Sequence, residues 1–71
     1  MLNPSKEFNQ VRIDKIKREM GAHEITKSSL ANKLQISRES LTNKLGGITP
    51  WTVAELEMLA EIFNKRRNYF F

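Results

Sequence analysis

The chain has no cysteine, and its 71 residues include a single histidine, His23. The first absence excludes a disulfide framework and any thiolate zinc site; the second excludes a centre built from several histidines, so no metal is expected. No apolar run approaches the ~20 residues that a membrane span needs. The opening Met1-Leu2-Asn3-Pro4 lacks the hydrophobic stretch of a secretory signal. A soluble cytoplasmic domain without a membrane partner is therefore expected. Paired carboxylates, a nucleophile beside a base and a glycine-rich phosphate loop are also missing, so neither an enzyme nor a bound cofactor or small-molecule ligand is expected.

At 8.3 kDa the chain makes one domain, and a chain of this size buries only roughly 60% of the surface that its unfolded form exposes. A large cleft in the monomer is excluded, and association with a second copy is a ready source of extra stability. Twelve Lys and Arg against eight Asp and Glu give a net charge of +4, which points toward a polyanionic partner. The excess is not uniform: residues 1–20 carry five basic and three acidic groups, and residues 21–50 carry four and two. The last stretch balances Glu55, Glu57 and Glu61 against Lys65, Arg66 and Arg67.

What is present is helical spacing. Phe8, Val11 or Ile13, Ile16 and Met20 recur at steps of three to four and predict a first helix from about Ser5 to Met20. Asn3 or Ser5 caps it, and Gly21 follows at the position where a left-handed residue closes a helix. Three further starts share one pattern, a capping hydroxyl with an apolar residue before it and another four positions after it. Ile25-Thr26 leads to Leu30, Ile36-Ser37 to Leu41, and Ile48-Thr49 to Val53. These predict helices over Lys27–Leu34, Arg38–Leu45 and Pro50 to about Asn64, the last with Val53, Leu56, Leu59, Ala60 and Phe63 on one stripe. Pro50 suits a first helical position. Only the tail, Asn68-Tyr69-Phe70-Phe71, is β-prone.

Two short helices joined by about three residues behind a longer one describe a helix-turn-helix. Ala31 permits the close approach, and Leu30, Leu34, Ile36 and Leu41 lock the crossing. Arg38, Glu39, Thr42 and Asn43 then point outward on a helix slim enough for a major groove.

The run Ile25-Thr26-Lys27-Ser28-Ser29-Leu30-Ala31-Asn32-Lys33-Leu34-Gln35-Ile36-Ser37-Arg38-Glu39-Ser40-Leu41-Thr42-Asn43-Lys44-Leu45-Gly46-Gly47 resembles the helix-turn-helix of the lambdoid phage Cro and repressor family, the XRE-like group. Thr49-Pro50-Trp51-Thr52-Val53-Ala54-Glu55 is similar to the start of its fourth helix, where an aromatic-Thr-x-x-Glu pattern is common. The resemblance spans about residues 6–64. It implies an all-α, lambda-repressor-like fold, a compact four- to five-helix bundle with residues 65–71 as a basic-aromatic tail. The family usually has glycine where Gln35 stands, because the chain passes there through a left-handed conformation; keeping it with glutamine costs about 1 kcal/mol. Lys27 replaces a usual glutamine, and Lys44-Leu45 a glutamate near the end of the third helix.

The resemblance also implies roles. Arg38, Glu39 and Asn43, with Thr42 beside them, match the positions that read base edges: arginine suits guanine, glutamate cytosine N4, and asparagine adenine. Lys27, Ser28, Ser37, Ser40 and Lys44 are expected on phosphates, together with the amides from Thr49 to Trp51. The expected function is a sequence-specific regulator of transcription on double-stranded DNA. A Cro-like repressor is favoured because no cleavage or sensor domain accompanies the motif. An antitoxin or an activator would use the same residues, and a helical protein-interaction module without DNA binding is the competing class. His23 reads as an exposed loop residue, the Trp51 ring as core, and Met20 and Met58 as core fillers. Family members bind paired half-sites as dimers, so Tyr69, Phe70 and Phe71 are assigned to a homodimer interface, against the alternative that they pack on their own chain.

Overall fold

The computed structural model describes residues 4–71, with side chains from Asn9 onward. The expected caps Asn3 and Ser5 and the expected core residue Phe8 lie outside the residues whose side chains are described. Four helices follow one another: α1 (Pro4–Ala22), α2 (Lys27–Leu34), α3 (Arg38–Leu45) and α4 (Val53–Ile62). The described residues form no strand, and the β-prone tail makes turns instead. A Cα radius of gyration of 11.6 Å matches the roughly 11 Å of a compact chain of this length.

Every helix ends the same way. One amide just past the helix reaches back three positions and the next one out reaches back five: Glu24 N donates to Gly21 O at 3.2 Å and Ile25 N to Met20 O at 2.9 Å. Ile36 to Ala31, Ile48 to Asn43 and Lys65 to Ala60 repeat the longer bond at 3.0, 2.9 and 2.7 Å. Each stop needs one left-handed residue. These are Glu24 (φ 54°), Gln35 (φ 60°), Gly47 (φ 79°) and Asn64 (φ 56°). Gly21, expected in that role for α1, lies within the last helical turn, and Glu24 takes its place. The stop falls there because it brings Ile25, rather than a polar residue, back against the core.

The first turn of each later helix is set by a hydroxyl. Thr26 Oγ1 accepts from Ser29 N at 3.1 Å and Ser37 Oγ from Ser40 N at 3.0 Å, as the cap pattern predicts. The third start is displaced by three residues. Thr52, not Thr49, caps α4: its Oγ1 accepts from Glu55 N at 3.1 Å, and Glu55 Oε1 accepts from Thr52 N at 2.9 Å. The staple moves with it. Ile48 and Val53 are 76% and 61% exposed, whereas Trp51 and Leu56 are both buried. Pro50 therefore stands in the connection and not at a first helical position. A reciprocal pair satisfies two amides where Thr49 would satisfy one, and it puts the larger ring inside.

The core joins Ile16 of α1 to Leu30, Ala31 and Leu34 of α2, Leu41 and Leu45 of α3, Trp51, and Leu56, Leu59 and Ala60 of α4. Of the two alternatives on α1, Ile13 is buried and Val11 exposed. The core continues past Asn64, because Phe70 is only 1% exposed. Its ring meets Phe63 and Tyr69 edge-on at centroid distances of 6.0 and 4.9 Å. Arg12 Nε donates to Phe70 O at 2.7 Å and Lys15 Nζ to Tyr69 O at 3.3 Å, so α1 holds the tail by its backbone. Glu19, buried within α1, receives the Tyr69 hydroxyl at 3.3 Å and lies 3.6 Å from Lys65 and 3.4 Å from His23. His23 itself is exposed in the turn after α1, as expected, with its ring 5.2 Å from that of Phe63.

Candidate nucleic-acid interface

The α2–α3 pair presents one helix outward while holding it from behind. Leu41 and Leu45 anchor the inner face of α3 against Leu30, Ala31 and Leu34. The three residues between the helices, Gln35 to Ser37, contain a stop, an inward isoleucine and a cap. Each of the three is tied to a helix end or to the core.

On the opposite face, Arg38, Glu39 and Thr42 are exposed and Asn43 is half-buried. Arg38 lies one turn from Thr42, whose hydroxyl donates to the Arg38 carbonyl at 3.0 Å. Glu39 lies one turn from Asn43. Among the described residues, neither the Arg38 guanidinium nor the Glu39 carboxylate has a hydrogen-bond or ion-pair partner. Their donors and acceptors are open to a base edge.

The cations divide into two groups. Arg12, Lys15, Lys44, Lys65 and Arg67 are engaged within the chain: Arg12 and Lys15 on the tail, Lys44 on Glu55, Lys65 on Glu19 and Arg67 on Glu57. Lys17, Arg18, Lys27, Lys33, Arg38 and Arg66 have no such partner among the described residues. Three of these six lie in the helix-turn-helix itself. Of its expected phosphate contacts, Lys27 and Ser28 are exposed at the N-terminus of α2, and their amides precede the one that Thr26 caps. Ser37 and Ser40 bond each other through their hydroxyls at 3.0 Å.

Three expected contacts change. The Lys44 ammonium is occupied, donating to Pro50 O and Glu55 Oε1, both at 3.0 Å. The Trp51 side chain is core, and its Nε1 has no partner among the described residues. Thr49 is exposed, but α4 does not begin there, so the amides from Thr49 to Trp51 do not open the helix. The capping box takes the amides of Thr52 and Glu55, leaving those of Val53 and Ala54 as the free donors of its first turn. The Glu55 carboxyl is pushed up by its burial and pulled down further by the Thr52 amide, the Lys44 ammonium and the Thr52 hydroxyl, ending below the ordinary carboxylate value.

Glu55 and the tail anchors Arg12 and Lys15 are what sequence reasoning missed. The Thr52-x-x-Glu55 signature was visible, although the preceding Ile48-Thr49-Pro50 competes with it. No spacing rule connects Arg12 to Phe70 or Lys44 to Glu55. The tail aromatics also separate: Phe70 is inside its own chain's core, Tyr69 is half-buried on α1, and Phe71 alone is exposed. Among the described residues no group of acidic or histidine side chains could hold a metal ion, and no helix is long and apolar enough to cross a membrane.

Comparison with characterised proteins and with solved structures gives no match. The family model of the Cro/C1-type HTH DNA-binding domain matches residues 15–66, well over half of the chain and all of α2, α3 and α4. With the helix order, the three-residue joint and the outward face of α3 in place, the protein belongs to the Cro/C1-type helix-turn-helix DNA-binding domains.

Proposed function

We propose that the protein is a sequence-specific transcriptional repressor of the Cro kind, which occupies an operator and excludes polymerase. The helix α3, residues 38–45, enters the major groove. Arg38 reads guanine, Glu39 accepts from cytosine N4, and Asn43 pairs with adenine, with Thr42 against a neighbouring base. Lys27, Ser28, Ser37, Ser40 and Thr49 line the phosphates, joined by the free amides of Val53 and Ala54. Two copies bind two-fold-related half-sites about one helical turn apart. Phe71 supports that pairing, because it and Val11, two exposed large apolar residues, border one small depression over α1.

The observation that carries this reading is the state of the α3 face: among the described residues, Arg38 and Glu39 are both exposed and unpartnered on the side of α3 opposite its core contacts. Glu39 also suits the start of a helix, so it is the joint placement of Arg38, Glu39, Thr42 and Asn43 on the outward side of a Cro/C1-type motif that supports the reading. The test is selection of bound sites from a random duplex library, followed by titration of the enriched site. A two-fold motif is expected, with Arg38→Ala costing about 1–3 kcal/mol and relaxing one position. A folded protein that enriches no motif would reduce the +4 charge to non-specific attraction and point to a protein partner instead.

A further inference from the structure

A lysine in the last turn of a groove-binding helix is ordinarily counted as a phosphate ligand. Lys44 is placed differently. Its ammonium donates to the carbonyl of Pro50 and to Glu55 Oε1 at 3.0 Å each and lies 5.8 Å from the centre of the Trp51 ring. Only 13% of the Lys44 side chain and 14% of Glu55 reach solvent. The same Glu55 oxygen accepts the Thr52 amide at 2.9 Å. One carboxylate oxygen thus joins the end of α3, the carbonyl-held connection and the first turn of α4.

The connection needs such a clamp. Residues 46–50 are all exposed and Ile48 contributes nothing to the core. At one end the stop of α3 holds Ile48 N to Asn43 O at 2.9 Å, and Thr49 N reaches the same oxygen at 3.4 Å. At the other end the capping box begins at Thr52. Pro50 has no amide to donate, so its carbonyl is the backbone group available for fixing the middle, and Lys44 takes it. An ammonium has three protons; two are directed inward here, and the stem that carries them is withdrawn from the surface.

We propose that Lys44 and Glu55 are a positioning pair, which fixes the free amides of α4 relative to the reading face of α3, and that Lys44 does not bind phosphate. The proposal rests on the DNA reading. It assigns to two residues of opposite charge one function, holding two DNA-facing elements in a single register.

Opposite charges make it testable. Binding to a fixed duplex is titrated over a range of salt for the parent protein and for Lys27→Met, Lys44→Met and Glu55→Gln, with folding checked by circular dichroism. Glutamine at 55 keeps the capping acceptor. Lys27→Met should lower the slope of log affinity against log salt by about one. Lys44→Met should leave the slope unchanged and weaken binding roughly three- to tenfold, the net scale of one ordinary hydrogen bond. Glu55→Gln, which removes a negative charge, should weaken it similarly, whereas simple attraction to DNA would strengthen it. If Lys44→Met does not fold, Glu55→Gln alone decides the sign. A loss of slope in Lys44→Met equal to that in Lys27→Met overturns the proposal. So does tighter binding by Glu55→Gln, or a lower melting temperature in both variants with affinity unchanged. A parent protein with no salt-dependent duplex binding removes the DNA reading itself, and the positioning role falls with it.

Discussion

Replacing Gln35 by glycine should stabilise the protein. Gln35 closes α2 at φ 60° and ψ 40°, with its own amide directed back to Asn32 O at 3.1 Å. Its side chain is exposed and makes no hydrogen bond among the described residues, so truncation removes little. An L-residue in this conformation costs about 1–2 kcal/mol, and glycine gives back about 0.5–1 kcal/mol through its freer unfolded chain. The difference is a gain of about 0.5–1 kcal/mol, which for a domain of this size raises the melting temperature by about 3–6 °C. Urea unfolding followed by Trp51 fluorescence should show a higher midpoint with the same slope. Gln35→Ala, which keeps the Cβ, should show no such gain. Asn64→Gly should gain less, because asparagine tolerates the left-handed region. Gly47→Ala should lose stability. Equal stability of the glycine and alanine variants at position 35 would refute the backbone explanation and assign the cost of this turn elsewhere.

Thr52→Ala should cost about 1 kcal/mol in urea unfolding, with Thr49→Ala within the noise of the measurement; the reverse ranking would restore the cap to Thr49. Phe70→Ala should cost about 3–5 kcal/mol, much of the stability of so small a domain, and Phe71→Ala almost none by the same assay. Glu55 supplies a pH dependence. Its carboxyl titrates below the ordinary 4.5 in the folded protein, so its contribution is complete above that value. As pH falls through it the unfolded chain takes up the proton first, and the stabilisation is lost once the folded group is protonated as well. Thermal melts between neutral and acid pH should therefore show a shallower acid limb in Glu55→Gln than in the parent.

The helix-turn-helix was legible to the residue, with Lys27–Leu34 and Arg38–Leu45 found where the caps placed them. The reason is that stop, staple and cap are all local, each settled within five or six positions. The start of α4 was less legible, because two overlapping segments satisfy the same cap rule and the choice depends on whether Ile48 or Trp51 enters the core. Gly21 misled for a related reason: composition marks where a left-handed residue is cheap, while packing decides where one is needed. The tail was legible only as a choice between an interface and its own core, and Phe70 takes the core. Its anchors, Arg12 and Lys15, lie more than fifty positions away and act on backbone oxygens, which carry no sequence signal. The outward face of α3 was legible as a face; that Lys44 turns away from it was not.

Ile25 and Ile36 each serve two helices. The amide of each completes the stop of the helix before, and its side chain packs on the core just ahead of the hydroxyl that starts the next. Joints made this way have no slack, and one inserted residue would separate the closing function from the opening one and turn α3 out of line. A lineage carrying this fold can therefore change length at its ends far more readily than between its helices. The residues on the outward face of α3 are under no such restriction. Arg38, Glu39, Thr42 and Asn43 add no side chain to the hydrophobic core, so on the proposed reading the DNA word can be rewritten by substitution while the scaffold that presents it stays as it is.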